Sequence, residues 1–211
     1  MQSEALLREV LIGCLLVVFP IAAYFRLRSQ ATREPLDRRQ EGAFILATLR
    51  PAGLAHIVGL IVYLVNPARM AWASLPVPMS LRWAGIALLA VVAALLLWTL
   101  RSLGKNLTDT VVTRRAHTLV THGPYRWIRH PFYDCVLLLM IATSLATANW
   151  FLLLTGLIAF TMMVVRTRIE ERNLVARFGD NYRAYMAATG RFFPRLRASQ
   201  ASGVDSVHPV R

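Results

Sequence analysis

Long apolar stretches dominate this chain of 211 residues and limit the folds that it can adopt. They run from about Val10 to Phe25, Ala43 to Val65, Trp83 to Leu100, Phe132 to Ala148 and Trp150 to Val165. A helix needs roughly 20 apolar residues to cross a bilayer, and in lipid it must satisfy its own backbone polar groups. The sequence therefore predicts an all-α polytopic membrane protein with about five transmembrane helices.

The connections between these stretches differ in basic residues, which predicts the orientation of the helices. Arginine-rich segments follow the first, third and fifth stretches, whereas the connection after the second stretch carries only Arg69 and Arg82. Because basic loops tend to stay in the cytoplasm, the pattern predicts an outer N-terminus and a cytosolic C-terminus in the cell inner membrane. The net charge of +13 has the same explanation, so we expect no nucleic-acid partner.

The second stretch contains the least regular sequence. Pro51 follows Arg50 within it, and two interpretations stay open: a kinked helix whose arginine reaches the interface, or an arginine in a polar cavity between helices. We predict that His56 is a buried, hydrogen-bonded histidine, and that Cys14 and Cys135 are core thiols.

The C-terminal half predicts a helical hairpin followed by a shorter helix. A turn at Ala148 and Asn149 makes the fourth and fifth helices antiparallel neighbours. Helical periodicity continues past Val165, Gly179 is suited to end that helix, and Asp180 to N-cap the next one. We divide the chain into N-terminal spans (1–102), a catalytic region (103–197) and a disordered tail (198–211).

A stretch of aromatic and basic residues, "THGPYRWIRHPFY", leads into the fourth helix. Its residues 121–130 are called the connecting loop below. Gly123 and Pro124 predict a turn, and Pro131 is suited to the first helical position. Arg129 and His130 at a helix N-terminus are suited to binding an anion.

A second polar cluster, "RTRIEER", lies at the cytosolic end of the fifth helix. Arg168 and Glu171 are three residues apart, so they can meet on the helix surface, as can Arg166 and Glu170. This cluster is either an ordinary interfacial charge cluster or part of a site. The predicted hairpin favours a site, because it places the cluster beside the connecting loop.

These two motifs resemble those of the isoprenylcysteine carboxyl methyltransferase and phospholipid methyltransferase family. "GPYRWIRHPFY" is followed about forty residues later by "RIEERNLVARFGDNYRAYMAATGRFFP". The resemblance covers roughly Leu103 to Pro194. It implies an integral membrane methyltransferase that uses S-adenosylmethionine.

The resemblance also implies roles for individual residues. The residues expected around the nucleoside are His117, Thr118, Leu119, Gly123, Pro124 and Tyr125. The residues expected at the methionine end are Arg129, His130, Pro131 and Tyr133, with Glu171 near the ammonium group. Arg168 is expected to orient the acceptor, and Glu170 or Glu171 to act as a base if the acceptor is an amine.

The acceptor itself stays open. A pocket beneath membrane helices favours an amphiphilic or small hydrophobic acceptor, such as an isoprenylcysteine carboxylate, a phospholipid amine or a thiol. We expect a membrane lipid or lipid-like partner, no obligatory protein partner and no metal. The alternatives are an NADPH-dependent membrane sterol or steroid reductase-like enzyme, and a non-enzymatic small transporter or regulator.

Overall fold

The computed structural model describes residues 2–30, 43–104 and 118–195, and within these ranges the chain is helical. The α-helices are α1 (Gln2–Gln30), α2 (Ala43–Val65), α3 (Met79–Leu103), α4 (Pro131–Thr147), α5 (Trp150–Phe178) and α6 (Asp180–Ala188). Two 3₁₀ helices cover Pro67–Ala73 and Gly123–Arg126. The predicted all-α class is confirmed.

Four of the described helices, α1, α2, α3 and α5, are long and apolar enough to cross a membrane. The chain is therefore an integral membrane protein. The remaining apolar helix, α4, has 17 residues, a length of about 25 Å at 1.5 Å per residue. It begins at Pro131 and ends before Ala148, which has a left-handed backbone conformation, so it is shorter than the other four helices. The fifth transmembrane span therefore stays a prediction.

The bundle is built from four helix pairs: α1 with α3, α2 with α5, α3 with α4, and α4 with α5. Leu7, Leu11, Leu60 and Leu89 are in its larger core cluster. A Cβ atom at Gly85 of α3 would lie 2.7 Å from the Ala146 backbone nitrogen of α4. A glycine here lets the two backbones approach closely, as is typical of membrane helix pairs.

The turn between α4 and α5 is as tight as predicted. Ala148 adopts a left-handed conformation with φ 50° and ψ 50°. The Asn149 side chain accepts a hydrogen bond from the backbone N–H of Leu152 at 3.1 Å, which caps α5. This hairpin brings the start of α4 and the far end of α5 to the same end of the bundle.

The sequence predictions for α2 are also informative. His56 is buried, with Nδ1 2.9 Å from the Leu152 carbonyl oxygen and Nε2 3.2 Å from Thr143 Oγ1, as predicted. The helix is continuous through Pro51. Arg50 is exposed on its surface, which favours the first interpretation over a cavity between helices.

A buried arginine joins four helices at the opposite end of the bundle. Arg82 is 8% exposed. Its Nη2 donates to Tyr63 Oη at 3.0 Å and its Nε to the Ala146 carbonyl at 3.0 Å, while Nη1 pairs with Glu4 at 2.5 Å. The sequence had indicated only a connecting residue here, whereas the side chain ties α3 to α1, α2 and α4.

The end of α5 is as predicted, whereas the start of α6 differs from the sequence prediction by one residue. Gly179, with φ 56°, caps both the end of α5 and the start of α6. Asp180 is not the N-cap that we predicted but the first residue of α6, and it pairs with Arg183 at 2.7 Å. The glycine takes the cap position because its backbone conformation is one that side chains disfavour. The predicted tail, 198–211, lies outside the described residues.

Candidate functional site

The connecting loop folds as a defined turn against the end of α3. Residues Gly123–Arg126 form the 3₁₀ helix, and Gly123 has a positive φ of 60°. A Cβ atom added to Gly123 would lie 2.1 Å from Ser102 Oγ. The predicted turn is present, and glycine is required there both by conformation and by close contact.

The loop also pairs with the segment that follows α6. The backbone N–H groups of Arg129 and His130 donate to the carbonyls of Gly190 and Arg191 at 2.9 and 3.1 Å. In return, the Gly190 N–H donates to the Trp127 carbonyl at 3.1 Å. Residues 189–195, called the C-terminal segment below, therefore hold the connecting loop in place.

The carboxylate of Glu171 contacts basic side chains of both the connecting loop and the C-terminal segment. Glu171 of α5 is 4% exposed. Its Oε1 accepts from Arg129 Nε at 2.8 Å and lies 3.3 Å from both His130 Nε2 and Arg191 Nε. Its Oε2 accepts from Arg191 Nη2. These four residues are called the Glu171 cluster. They join the connecting loop, α5 and the C-terminal segment.

Arg129 has further partners at the end of α6. Its Nη1 donates to the carbonyl oxygens of Met186, at 3.2 Å, and Thr189. Helix C-termini leave such carbonyls without partners inside the helix, so the guanidinium satisfies them while it neutralises Glu171. The orientation of α6 is thus linked to the same charge cluster.

Glu170 is held separately by α4. The Tyr133 hydroxyl donates to Glu170 Oε2 at 2.7 Å, and the Tyr133 ring stacks on His130 with ring centres 5.4 Å apart. Helix spacing allowed Arg168 to meet Glu171, but the structure shows other donors at Glu171. Among the described residues, the partners of Glu171 come from other segments, because the hairpin places stronger donors closer to it.

Arg168 lies instead at a cavity beside the cluster. This cavity has a volume of about 420 Å³. It is lined by Arg168, Glu171, Arg172, Val175, Ala176, Met186 and Arg191. Arg168 and Arg172 are exposed, and Arg191 is partly buried. A cavity with several guanidinium groups and one carboxylate can bind a small zwitterion.

A second cavity lies on the other side of the connecting loop. Its volume is about 510 Å³, between α3, the loop and the first turns of α4. Trp98 and Trp127 form part of its wall, with ring centres 5.8 Å apart. Pro124 and Pro131 contribute as well, so the cavity reaches the predicted nucleoside-binding and helix-start residues.

Tyrosines of the loop and α6 provide neutral hydrogen-bond donors. The Tyr185 hydroxyl donates to the Tyr125 carbonyl at 2.6 Å. Burial raises the pKa of Tyr125 well above its ordinary value, raises that of Tyr182, and raises the pKa of Tyr185 to about 12. These phenols stay protonated at neutral pH, so Tyr185 supports the loop as a donor and none of the three acts as a base.

The structure brings together most of the residues that the sequence singled out. Arg129, His130, Tyr133, Glu170 and Glu171 meet at the ends of α4 and α5. Of the remaining predicted residues in the described part of the chain, Gly123, Pro124 and Tyr125 lie in the connecting loop, Thr118 and Leu119 precede it, and Pro131 begins α4. His117 lies outside the described residues.

Sequence reasoning missed Arg191. It lies in "GRFFP", close to a matched motif proline, and its basic side chain beside that motif was the available signal. Only the pairing of the C-terminal segment with the connecting loop shows that it contacts Glu171.

The donor set fits the methionine end of S-adenosylmethionine. A carboxylate has about four lone-pair sites. Oε1 of Glu171 has three contacts, whereas Oε2 has one hydrogen bond, from Arg191, and can accept another from an ammonium group. The guanidinium groups of Arg172 and Arg191 in the same cavity suit the cofactor carboxylate.

Comparison with known proteins gives matches in the same region. Residues 85–176 match the isoprenylcysteine carboxyl methyltransferase (ICMT) family. The chain is 34% identical over 124 residues to the cobalt-zinc-cadmium resistance protein CzcN of Cupriavidus metallidurans. That alignment covers 54% of this chain and 56% of CzcN. The chain thus spans little more than half the length of this relative.

Relatives named as methyltransferases match shorter stretches. The protein-S-isoprenylcysteine O-methyltransferase of Schizosaccharomyces pombe is 33% identical over 85 residues, 39% of this chain and 36% of that protein. The methanethiol S-methyltransferase of Mycobacterium tuberculosis is 34% identical over 73 residues, 35% of this chain and 29% of that protein.

A solved structure shares the fold. It is that of the eukaryotic intramembrane Ras methyltransferase ICMT, with a TM-score of 0.52 and 26% sequence identity. The alignment covers 69% of this chain and 51% of that one. Over a region that contains most of α3, the connecting loop, α4 and most of α5, this chain is therefore similar to the isoprenylcysteine carboxyl methyltransferase family.

Proposed function

We propose that this chain is an integral membrane methyltransferase that uses S-adenosylmethionine and acts on an amphiphilic or small hydrophobic acceptor. The observation that carries the proposal is the Glu171 cluster beside a cavity of about 420 Å³. Three of its four residues lie within the region that matches the family. The names of the isoprenylcysteine and methanethiol methyltransferases among the relatives support the same reaction class.

The charged residues of the cluster would hold the methionine end of the cofactor. In this proposal Glu171 Oε2 accepts a hydrogen bond from the ammonium group. The guanidinium groups of Arg172 and Arg191, which line the same cavity, bind the cofactor carboxylate. Arg129 and His130 contact Oε1 and so keep Glu171 ionised and oriented. Oε2 then faces Arg191 and, in this proposal, the ammonium group.

The connecting loop would bind the nucleoside end. Gly123 and Pro124 place the backbone in a fixed turn, and Tyr185 holds the Tyr125 carbonyl in position. When bound, the cofactor supplies an electrophilic methyl group on a sulfonium. The main demand on the protein is then alignment of the acceptor and exclusion of water, and proximity alone can contribute about 7–11 kcal/mol.

The acceptor would enter from the membrane side. Arg168 is exposed one turn before Glu171 and lines the same cavity, so we assign it the positioning of the acceptor. Glu170, held by Tyr133, is the base that an amine acceptor would require. We further propose that this end of the bundle faces the cytosol and that the membrane is the cell inner membrane.

Ligand-dependent thermal stability tests the proposed function. The purified full chain in detergent is heated with S-adenosylhomocysteine, with NADPH or with neither. A ligand at about 100 times its Kd stabilises the folded state by about 2.7 kcal/mol. We expect a higher Tm with S-adenosylhomocysteine alone. A rise with NADPH alone would support a reductase, and no rise with either would remove the cofactor assignment.

A further inference from the structure

The cavity on the α3 side of the connecting loop contains a carboxylate that the proposed cofactor site does not use. Asp134 is in the first turn of α4 and lines this cavity, whose volume is about 510 Å³. It is called the Asp134 pocket below. Most of the wall is apolar, with Leu95, Leu138 and the two indoles of Trp98 and Trp127.

One oxygen of Asp134 lacks a hydrogen-bond partner. Its Oδ2 is buried, and no donor contacts it among the described residues. The neighbouring hydroxyl of Thr99 is directed to Cys135 Sγ, 3.8 Å away. A buried carboxylate oxygen without a donor is costly, because its hydration is lost and no protein group replaces it. A bound molecule with an N–H donor would satisfy it.

The aromatic wall favours a cation at the same place. Trp98 and Trp127 meet edge to face, and the guanidinium carbon of Arg126 lies 4.2 Å from the Trp127 ring centre. Trp127 therefore already attracts a positive charge on one side. Indole faces and a carboxylate together are the features that bind ammonium groups, and the apolar remainder suits a hydrocarbon chain.

We propose that the Asp134 pocket binds a hydrophobic amine, with its protonated nitrogen on Asp134 and its apolar body between α3 and α4. The inference goes beyond the proposed function, because it assigns a ligand class to a cavity separate from the one that Arg168 and Glu171 line. The backbone N–H of Asp134 donates to the His130 carbonyl at 3.3 Å, so the pocket lies within one helical turn of the Glu171 cluster along α4. Asp134 is thus a ligand-binding residue of this pocket.

Binding of three amphiphiles of equal chain length tests this proposal. The full chain is placed in phosphatidylcholine nanodiscs, and decylamine, decanethiol and decanoate are titrated while tryptophan fluorescence is recorded. One charge-assisted hydrogen bond corresponds to about tenfold or more in affinity. We therefore expect decylamine to bind at least about tenfold more tightly than decanoate. Trp98→Phe should reduce the signal, which locates it, and empty nanodiscs give the background.

Substitutions separate the carboxylate from general charge effects. Asp134→Asn keeps the shape of the side chain, so the fold should persist, and the preference for decylamine should fall about tenfold. Asp180→Asn removes an exposed carboxylate of α6 and should leave the preference unchanged. Equal binding of decylamine and decanoate by the unmodified chain would overturn the proposal. So would a preference for decanethiol, or a decylamine preference that survives Asp134→Asn.

The outcome is independent of the cofactor assignment. If S-adenosylhomocysteine fails to stabilise the protein but decylamine binding depends on Asp134, the amine pocket stands and the methyltransferase proposal fails. If S-adenosylhomocysteine stabilises the protein but decylamine shows no preference, the methyltransferase proposal stands and the amine pocket fails.

Discussion

Arg129 Nε and Glu171 Oε1 form an ion pair of 2.8 Å, and the two side chains are only 8% and 5% exposed. The residues are far apart in the chain, so the pair closes a long loop that contains all of α4 and most of α5. Removing Glu171 would leave the buried Arg129 without its carboxylate partner, whereas removing Arg129 would leave Glu171 with only Arg191 and His130. The pair is therefore decisive for the local structure as well as for the proposed cofactor site.

Substitution of Arg129 should strongly destabilise the protein. We expect Arg129→Gln to lower the free energy of unfolding by about 3–5 kcal/mol, because Glu171 loses one of its two arginine partners and the end of α6 loses a donor. Thermal unfolding in detergent measures the change. Arg183→Gln is the control, since its pair with Asp180 is exposed and such pairs contribute about 0–1 kcal/mol. Equal losses in both variants would contradict a structural role for the buried pair.

Two changes at the start of α4 should weaken cofactor binding. His130→Ala and Tyr133→Phe each remove a group that contacts Glu171 or Glu170. We expect each to reduce affinity for S-adenosylhomocysteine by about 1–3 kcal/mol, measured by calorimetry. Tyr24→Phe alters an exposed tyrosine of α1 and should have no effect. Unchanged affinity in both variants would remove these residues from the site.

Arg168 and Glu171 should differ in what they control. We expect Arg168→Ala to lower turnover at least about tenfold with little change in S-adenosylhomocysteine affinity, because its exposed guanidinium positions only the acceptor. Glu171→Ala should reduce both quantities. Calorimetry and a radiolabelled methyl-transfer assay distinguish the two effects. Loss of cofactor affinity in Arg168→Ala would refute this division of roles.

The orientation of the bundle can be tested at the connecting loop. Thr121 is exposed, so Thr121→Cys should react with a membrane-impermeant maleimide. Cys14 and Cys135 are replaced by alanine to remove the native thiols. We expect labelling in inverted inner-membrane vesicles and none in intact spheroplasts. The reverse pattern would place the candidate site on the outer face.

Gly123 and Gly179 both have a positive φ, so comparing them distinguishes the effect of close packing from that of backbone strain. We expect Gly123→Ala to lower the free energy of unfolding by about 1–3 kcal/mol more than Gly179→Ala does. Both have positive φ, but only the Cβ at position 123 would meet Ser102, whereas position 179 is open. Thermal unfolding of both variants gives the comparison. An equal loss would show that conformation alone requires the glycine at 123.

Much of the helical framework could be predicted because apolar runs and turn residues are local signals. The bounds of α2 match the predicted stretch, and the Ala148 turn follows from two runs separated by one short break. Tertiary details carried no such signal. From the sequence, Arg82 was expected in a connection between helices. It is buried because α1, α2 and α4 pack around its side chain on α3.

The site shows the same division. The proximity of Arg129 and His130 to Glu171 could be predicted, because an antiparallel hairpin places the start of α4 beside the C-terminal part of α5. Arg191 could not, because the pairing of residues 127–130 with 189–191 is a short backbone contact without a periodic pattern. The spacing of Arg168 and Glu171 allowed a contact along α5, but helix spacing indicates which residues can meet, not which donors lie closest.

The pairing between the connecting loop and the C-terminal segment has a consequence for biosynthesis. The ribosome makes residues 127–130 well before residues 189–191, and α4, α5 and α6 are all made in between. The loop has no backbone partners from that segment until α6 has left the exit tunnel. A nascent chain arrested before Gly190 would therefore contain every described helix and still lack Arg191, so the helices would be made before the Glu171 cluster is complete.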